Sequence, residues 1–230
     1  MNSTTVVVRW ATVGAVDVHS PPRWLSDGEL TRLGSMRQVL DQQRFIGARI
    51  ILRTAVSEAA GCAESQVELR QHCDRCGGPH GRPLVTIAGA AGPHVSMAHA
   101  GNLAVVALAG QPVGIDLEPL GADPDALRTW VRTEAVLKAT GHGLDVDPSF
   151  IEVSDPLDTP RLLSWKGPGR RPALRMADLA ICDGYATSIA RLGRRRMDIE
   201  ASPVELMSTA PTAPTAPTAS TSVLPRQSSG

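Results

Sequence analysis

The chain has 230 residues, a length that suits one elaborate domain or two small ones. Its 23 basic and 23 acidic side chains cancel, which argues against nucleic acid or an anionic membrane as the main partner. The apolar stretches fall short of the ~18 residues that a membrane span needs, and Arg9 interrupts the first of them. Four cysteines are too few for a disulfide scaffold. We therefore expect a cytoplasmic protein.

The first quarter of the chain predicts strand followed by helix. Residues 6–18 are rich in β-branched side chains and indicate one long strand or a strand pair. Ser26 and Glu29 have the spacing of a capping box, so a mostly helical stretch is predicted to begin there. It continues to about Ala60, and Gly61 ends it.

The middle of the chain predicts a turn-rich segment, three strands and a second helix. Glycine and proline mark residues 73–83 as a turn or loop. Strand patterns follow at residues 95–97, 103–109 and 113–118, and the second of these is apolar throughout, as in a strand buried on both faces. The second helix is predicted from about Asp125 to Thr140. Four later segments also have strand patterns: residues 150–153, 161–165, 173–181 and 185–192.

Each half of the chain therefore contains one long helix and several strands, which predicts an α+β fold. We expect two similar subdomains, residues 1–112 and 113–200, that meet near residue 112. From Ala201 the composition changes to Ser, Thr, Ala and Pro, with a literal Ala-Pro-Thr repeat. Such a segment cannot bury enough apolar surface to offset its ordering entropy, so residues 201–230 are predicted to be a disordered tail.

The strand at residues 113–118 carries a pattern that suggests chemistry. Alternation sends Ile115 and Leu117 to one face and the carboxylates of Asp116 and Glu118 to the other. Two adjacent acids repel each other unless a cation lies between them, and Mg²⁺ binds to phosphates in this way. The alternative is a half-exposed strand whose outer face is acidic.

The second helix places Trp130, Glu134 and Lys138 on one face, because they are spaced at i, i+4 and i+8. One interpretation is a surface Glu-Lys pair that contributes about 0.3 kcal/mol. The other is that a third carboxylate and an ammonium complement the two acids of the strand around a metal-bound pyrophosphate.

Basic residues form a third group of candidates. His99 lies in a strand and is either a core histidine or a ligand-binding residue. Residues 31–53 have a local charge of +4, which is explained by a solvated helix face or by phosphate recognition. Arg82 adds another candidate for phosphate binding. The charged residues of that segment are Arg32, Arg37, Arg44, Arg49 and Arg53 against Asp41.

A cysteine motif offers a separate hypothesis. Cys73 and Cys76 form a Cys-x-x-Cys motif flanked by His72 and His80, four side chains that Zn²⁺ could use. The alternative is an exposed loop with reduced thiols, because one such motif without a second pair is weak evidence for zinc. A zinc-stabilised interaction module is thus one function class that stays open.

Four motifs in order resemble the phosphopantetheinyl transferase superfamily, and in particular its surfactin-synthetase-activating type. They are Gly-Arg-Pro at 81–83, Ser-Met-Ala-His-Ala-Gly at 96–101, Val-Gly-Ile-Asp-Leu-Glu at 113–118, and Trp-x-x-x-Glu-Ala-x-x-Lys-x-x-Gly-x-Gly-Leu at 130–144. The segment between the last two is shorter than is usual in the family. The resemblance implies a pseudo-dimer in which each subdomain has a small, mostly antiparallel sheet packed on a long helix.

The resemblance also implies a reaction. The 4'-phosphopantetheine arm of coenzyme A moves to a serine of an acyl or peptidyl carrier protein, and adenosine 3',5'-bisphosphate leaves. Asp116, Glu118 and Glu134 would hold Mg²⁺, Glu134 would take the serine proton directly or through a water, and Lys138 would neutralise charge on the transferring phosphoryl group. Asp116, Glu134 and Lys138 are thus the implied catalytic residues.

The coenzyme and carrier sites follow from the same resemblance. Arg82 and His99 would bind the phosphates of coenzyme A, together with Lys138 and, more weakly, Arg44 and Arg32. The family implies a monomer. We expect exposed arginines to meet an acidic carrier helix: Arg128, Arg132 or the run 194–196. The alternative function is a degenerate relative that binds coenzyme A or a carrier protein without transfer.

Overall fold

The computed structural model describes residues 4–71, 77–78 and 81–206, and these form three α-helices and twelve strands. The elements of the first half are β1 Thr5–Thr12, α1 Asp27–Ser35, α2 Val39–Ala60, β2 Val67–Gln71, β3 Pro83–Ile87, β4 Ala90–Ala91, β5 His94–Ala100 and β6 Leu103–Ala109. Those of the second half are β7 Val113–Pro119, α3 Pro124–Thr140, β8 Ile151–Val153, β9 Leu162–Trp165, β10 Leu174–Asp178, β11 Tyr185–Leu192 and β12 Asp198–Pro203.

Two main sheets organise the fold. One has the strand order β12-β1-β6-β5 and packs against α2, and the other has the order β10-β11-β7 and packs against α3. Within these two sheets β12 pairs with β1 in parallel, and the other pairs are antiparallel. Smaller sheets are formed by β2-β3-β4 and by β8-β9. The expected α+β fold is confirmed.

The apolar strand β6 lies between two cores, as its composition predicted. Ala104, Val106 and Leu108 belong to the core that includes α2, whereas Val105 and Ala107 face the core shared with β7 and β11. The order of layers is therefore helix, sheet, sheet, helix. All seven residues of β6 are buried.

The predicted helical stretch consists of two helices. The capping box is present, because Ser26 Oγ accepts a bond from the Glu29 amide and Ser26 N donates to the Glu29 carboxylate. The chain leaves the helix at Met36 and re-enters it at Val39. This turn brings Glu29 of α1 against α2, a contact that one continuous helix could not make. Gly61 ends α2 with a φ of +66°, as predicted.

The strand β12 extends beyond Glu200, so the boundary predicted at Ala201 falls within ordered structure. Ala201 pairs with Val8 of β1, and the Val204 amide donates to the Trp10 carbonyl at 2.7 Å. The sheet that contains β1 thus includes a strand from the far end of the described chain. The rest of the predicted tail, 207–230, lies outside the described residues.

Two further sequence predictions concern other parts of the chain. Cys73 and Cys76, the candidate zinc ligands, lie outside the described residues. Among the helices that the structure describes, none combines the length and apolarity that crossing a bilayer requires.

Candidate active site

The contact between β7 and α3 builds the candidate site. A side chain at Gly114 would overlap the carbonyl oxygen of Ala135 and the amide nitrogen of Ala139, so glycine allows the two backbones to approach closely. Two residues further along β7, Asp116 reaches the C-terminal part of α3. The residues around it, Ile115 and Leu117, are buried in the core between the sheets, as the alternation predicted.

Asp116 is buried and pairs with Lys138. The distance from Lys138 Nζ to Asp116 Oδ1 is 2.5 Å, and Nζ also donates to the Ile115 carbonyl at 3.3 Å. The other carboxylate oxygen, Oδ2, is buried and has no hydrogen-bond partner among the described residues. Burial raises the pKa of Asp116 in spite of the opposing effect of Lys138. Asp116 is therefore not part of an exposed acidic face.

Glu134 stands one helical turn before Lys138 and is also buried. Its Oε1 atom finds no hydrogen-bond partner in the part of the chain that the structure describes. Burial raises the pKa of Glu134, and the charges of Asp116 and Glu118 raise it further, while Lys138 opposes them. Because Glu134 is buried and Lys138 turns to Asp116, a surface i,i+4 pair does not describe this helix face.

Glu118 completes the acidic group. Burial raises its pKa first, and the neighbouring Asp116 charge adds to the rise, against Lys138 and Arg44. Lys138 therefore acts electrostatically on all three carboxylates. Their pKa values are nevertheless raised, because the effect of burial exceeds the opposing effect of the nearby cations.

The donor set fits a hard divalent cation. It offers carboxylate oxygens, the ligands that Mg²⁺ prefers, and two of these oxygens are buried and unpartnered among the described residues. Within residues 4–71, 77–78 and 81–206, however, no three metal-ligating side chains form a binding cluster. The ammonium of Lys138 stands at Asp116 instead.

His99 lies at the exposed end of β5, so it is not a core histidine. Partial burial lowers its pKa, and the positive charges of Arg44, Lys138 and Arg49 lower it further. Arg44 is held nearby, because its Nε donates to the Gly101 carbonyl at 2.8 Å and its Nη1 to Asp41 at 2.9 Å. Arg44 therefore supplies a positive charge beside the acidic group, and the neighbouring His99 has a lowered pKa that favours its neutral imidazole.

Arg82 reaches the C-terminal end of α3. A side chain built at Gly141, the residue that caps α3, would lie 3.2 Å from Arg82 Nη1. Arg82 Nη2 also lies 3.5 Å from His94 Nδ1, and burial lowers the pKa of the guanidinium. This places a cation one turn beyond Lys138, on the side where α3 ends.

Arg32 belongs to a different cluster. Its guanidinium lies over the Phe45 ring, 5.5 Å from the centroid, on the same ring that Arg49 covers at 3.3 Å. Glu29 pairs with Arg49 at 3.0 Å and with Arg53 at 3.1 Å, and all three side chains are buried. Burial lowers the pKa of Arg49 to about 10. Part of the positive charge of residues 31–53 thus joins α1 to α2.

The expectation that Arg132 is exposed is wrong. Its side chain is 1% exposed and forms bonds with Asp178, the closest at 2.5 Å. It also donates to carbonyl oxygens of the loop that follows β8: those of Ser154, Asp155, Pro156 and Asp158. Arg132 therefore fixes this loop to α3, and no local pattern could predict this because all the acceptors are distant in the chain.

The remaining basic candidates for a carrier surface differ in how they are held. Arg128 pairs with Asp125 at 2.9 Å and keeps 39% of its side chain exposed. In the run 194–196, the carbonyl oxygens of Arg194 and Arg195 accept bonds from Arg175 and Arg191.

Comparison with known proteins gives a limited result that agrees with the motifs. No protein-family model matches the chain. A Synechocystis sp. protein with the provisional name 4'-phosphopantetheinyl transferase is 25% identical to it over 149 residues. The match covers 52% of this chain and 58% of that protein, so the chain spans little more than half the length of the relative. The chain is thus weakly similar to a protein whose name agrees with the superfamily that the four sequence motifs resemble.

Proposed function

We propose that the protein transfers the 4'-phosphopantetheine arm of coenzyme A to a serine of an acyl or peptidyl carrier protein, with Mg²⁺ as cofactor. The observation that carries the proposal is the group of Asp116, Glu118 and Glu134 around Lys138, with two buried carboxylate oxygens that lack partners among the described residues. An acidic group of this kind beside the Arg44 guanidinium and the His99 imidazole suits a diphosphate and a divalent cation bound together.

In the proposed reaction the serine Oγ forms a bond to the phosphorus that carries pantetheine. The bond from that phosphorus to the bridging oxygen breaks, and adenosine 3',5'-bisphosphate leaves. Mg²⁺, held by Asp116, Glu118 and Glu134, would supply positive charge against the diphosphate.

Glu134 takes the serine proton, directly or through a water molecule. Its raised pKa makes the carboxylate a better base than an exposed glutamate, because the pKa lies closer to neutral pH. Lys138 turns its ammonium towards the charge that develops on the transferring phosphoryl group. His99, Arg44 and Arg82 bind the phosphates of the coenzyme, and Arg32, which packs over Phe45, is a weaker candidate.

The direct test is to incubate the protein with coenzyme A, Mg²⁺ and a panel of apo carrier proteins, and to weigh the intact carriers. We expect a carrier to gain the mass of phosphopantetheine, and chelation of the metal to prevent the gain. Glu134→Gln should lower the rate about a hundredfold or more, as for a positioned general base. Glu152→Gln, a change at an exposed glutamate of β8, is the matched control and should leave the rate unaltered.

Binding of coenzyme A without any mass gain, across the panel, would reject transfer and favour the degenerate relative. Equal rates for Glu134→Gln and the control would reject the role of Glu134 while leaving transfer itself intact.

A further inference from the structure

We propose that the Lys138 ammonium and the divalent cation compete for Asp116, so that the metal ion enters the site together with the coenzyme rather than before it. This inference rests on the proposed function, since it concerns the same carboxylates. It adds an order of binding and a second role for Lys138, which would hold the metal ligand in the ligand-free protein.

The first observation is the position of the ammonium. Lys138 Nζ lies 2.5 Å from Asp116 Oδ1, while Oδ2 is buried and has no partner among the described residues. The Asp116 side chain is 9% exposed and that of Lys138 is 27% exposed. The ammonium is therefore the more solvent-accessible member of the pair, and the carboxylate is the more enclosed one.

The second observation is the arrangement of the other acids. Glu134 Oε1 is buried with no partner in the described structure, although the ammonium of Lys138 acts on it electrostatically. One ammonium cannot satisfy Asp116 and the two glutamates at once. The ligand-free site therefore retains negative charge that a doubly charged ion would neutralise better, once the ammonium has another partner.

The third observation is the choice of side chain. The chain contains 21 arginines and two lysines, Lys138 and Lys166, and one of the two stands at this carboxylate. An arginine would bind Asp116 as a planar fork through two parallel bonds, which a metal ion could displace only with difficulty. A lysine ammonium is a compact charge on a flexible stem and can swing to a new anion.

The phosphates of coenzyme A supply that anion. When the ammonium turns from Asp116 to a phosphate, the carboxylate becomes available to the metal, and the metal in turn stabilises the phosphate. Coenzyme and metal should therefore each strengthen the binding of the other, because coupling between two sites is reciprocal. A fixed ion pair that merely supports α3 would produce no such coupling through Lys138.

The experiment measures Mn²⁺ binding, with Mn²⁺ as a probe for Mg²⁺, from the electron paramagnetic resonance signal of the free ion. The titration is run with and without coenzyme A on the intact wild-type chain, on Lys138→Met and on Asp116→Ala. Lys166→Met is the control, because Lys166 is the other lysine and is exposed. Melting curves establish that each variant is folded.

We expect coenzyme A to tighten Mn²⁺ binding to the wild-type and control proteins by about tenfold or more. Lys138→Met should bind Mn²⁺ about tenfold more tightly than the wild type when coenzyme A is absent, and coenzyme A should then add little. Lys138→Arg, which keeps the charge, should show weak Mn²⁺ binding without coenzyme A. Asp116→Ala should lose Mn²⁺ binding under both conditions.

Three results would count against the competition between Lys138 and the metal ion for Asp116. Equal or weaker Mn²⁺ binding by folded Lys138→Met, with wild-type binding that depends on Asp116, would overturn the competition and leave the proposed metal site intact. An equal effect of coenzyme A on the wild type and on Lys138→Met would overturn it in the same way. Absence of Mn²⁺ binding by the wild type, even with coenzyme A, would overturn the proposed metal site and the competition with it.

Discussion

Replacement of Arg132 by alanine tests a buried set of side-chain bonds that joins α3 to the loop after β8. The buried guanidinium holds the Asp178 carboxylate and four carbonyl oxygens of the loop that follows β8. Loss of one member of a buried ion pair costs about 3–5 kcal/mol, because the partner loses its compensation. Asp178 keeps 38% of its side chain exposed and can be rehydrated, so we expect the lower end, about 3 kcal/mol.

For a chain of this size, 1 kcal/mol corresponds to a change in melting temperature of about 2–4 °C. Arg132→Ala should therefore lower the melting temperature by about 6–12 °C, measured by circular dichroism or calorimetry. The control is Arg128→Ala, one helical turn earlier, where the exposed pair with Asp125 contributes about 0.2–1 kcal/mol. Similar, small shifts in both variants would show that the bonds of Arg132 do not stabilise the fold.

Three further predictions concern the acidic group and the end of β12. Asp116→Asn should raise the melting temperature of the metal-free protein at pH 7.5, because burial raises the pKa of Asp116 and so penalises its charge, and the same variant should lose transfer activity. Because the pKa is raised, this penalty is fully present above the folded-state pKa and vanishes below the ordinary value of 3.8. The gain in melting temperature should therefore shrink as the pH falls. A gain that stays constant from pH 7.5 to 4 contradicts the raised pKa of Asp116. Truncation after Glu200 removes half of β12 and the contact of Leu206 with the core. A loss of about 2 kcal/mol in unfolding free energy should lower the melting temperature by about 4–8 °C. Truncation after Leu206 is the control and should leave the melting temperature unchanged.

Features that depend on neighbours in sequence were predictable. The capping box of Ser26 and Glu29 requires only a spacing of three residues, and the structure contains it. The burial of β6 on both faces follows from its apolar composition. The alternation in β7 correctly sent Ile115 to the core. In each case the signal lies within one turn or one strand.

Features that depend on distant partners were not predictable. Arg132 looks like any helix-surface arginine until the loop after β8 folds onto α3. Glu29 and Arg53 are 24 residues apart and meet only because the helical stretch is broken at Met36. The strands β2 and β3, which were not predicted from the sequence, pair in antiparallel register with Val67 opposite Ile87.

The candidate site likewise combines features that the local sequence predicts with features that depend on distant partners. Asp116 and Glu134 are candidates from the sequence, but the sequence did not predict that each is buried with one oxygen that lacks a partner among the described residues. The pairing of Lys138 with Asp116 rather than Glu134 depends on Gly114, which lets β7 approach α3 more closely than a side chain would permit.

The parallel pairing of β1 with β12 affects how the protein can be synthesised and divided. Thr5 lies opposite Asp198, so a strand made first on the ribosome waits for one made almost two hundred residues later. Until then β1 can pair only with β6, and its other edge, with three consecutive valines in the strand, stays open to pairing with another chain. A fragment that stops before Asp198 should therefore aggregate even if it contains the whole acidic group. Dissection of this enzyme candidate should keep residues 5–203 in one polypeptide.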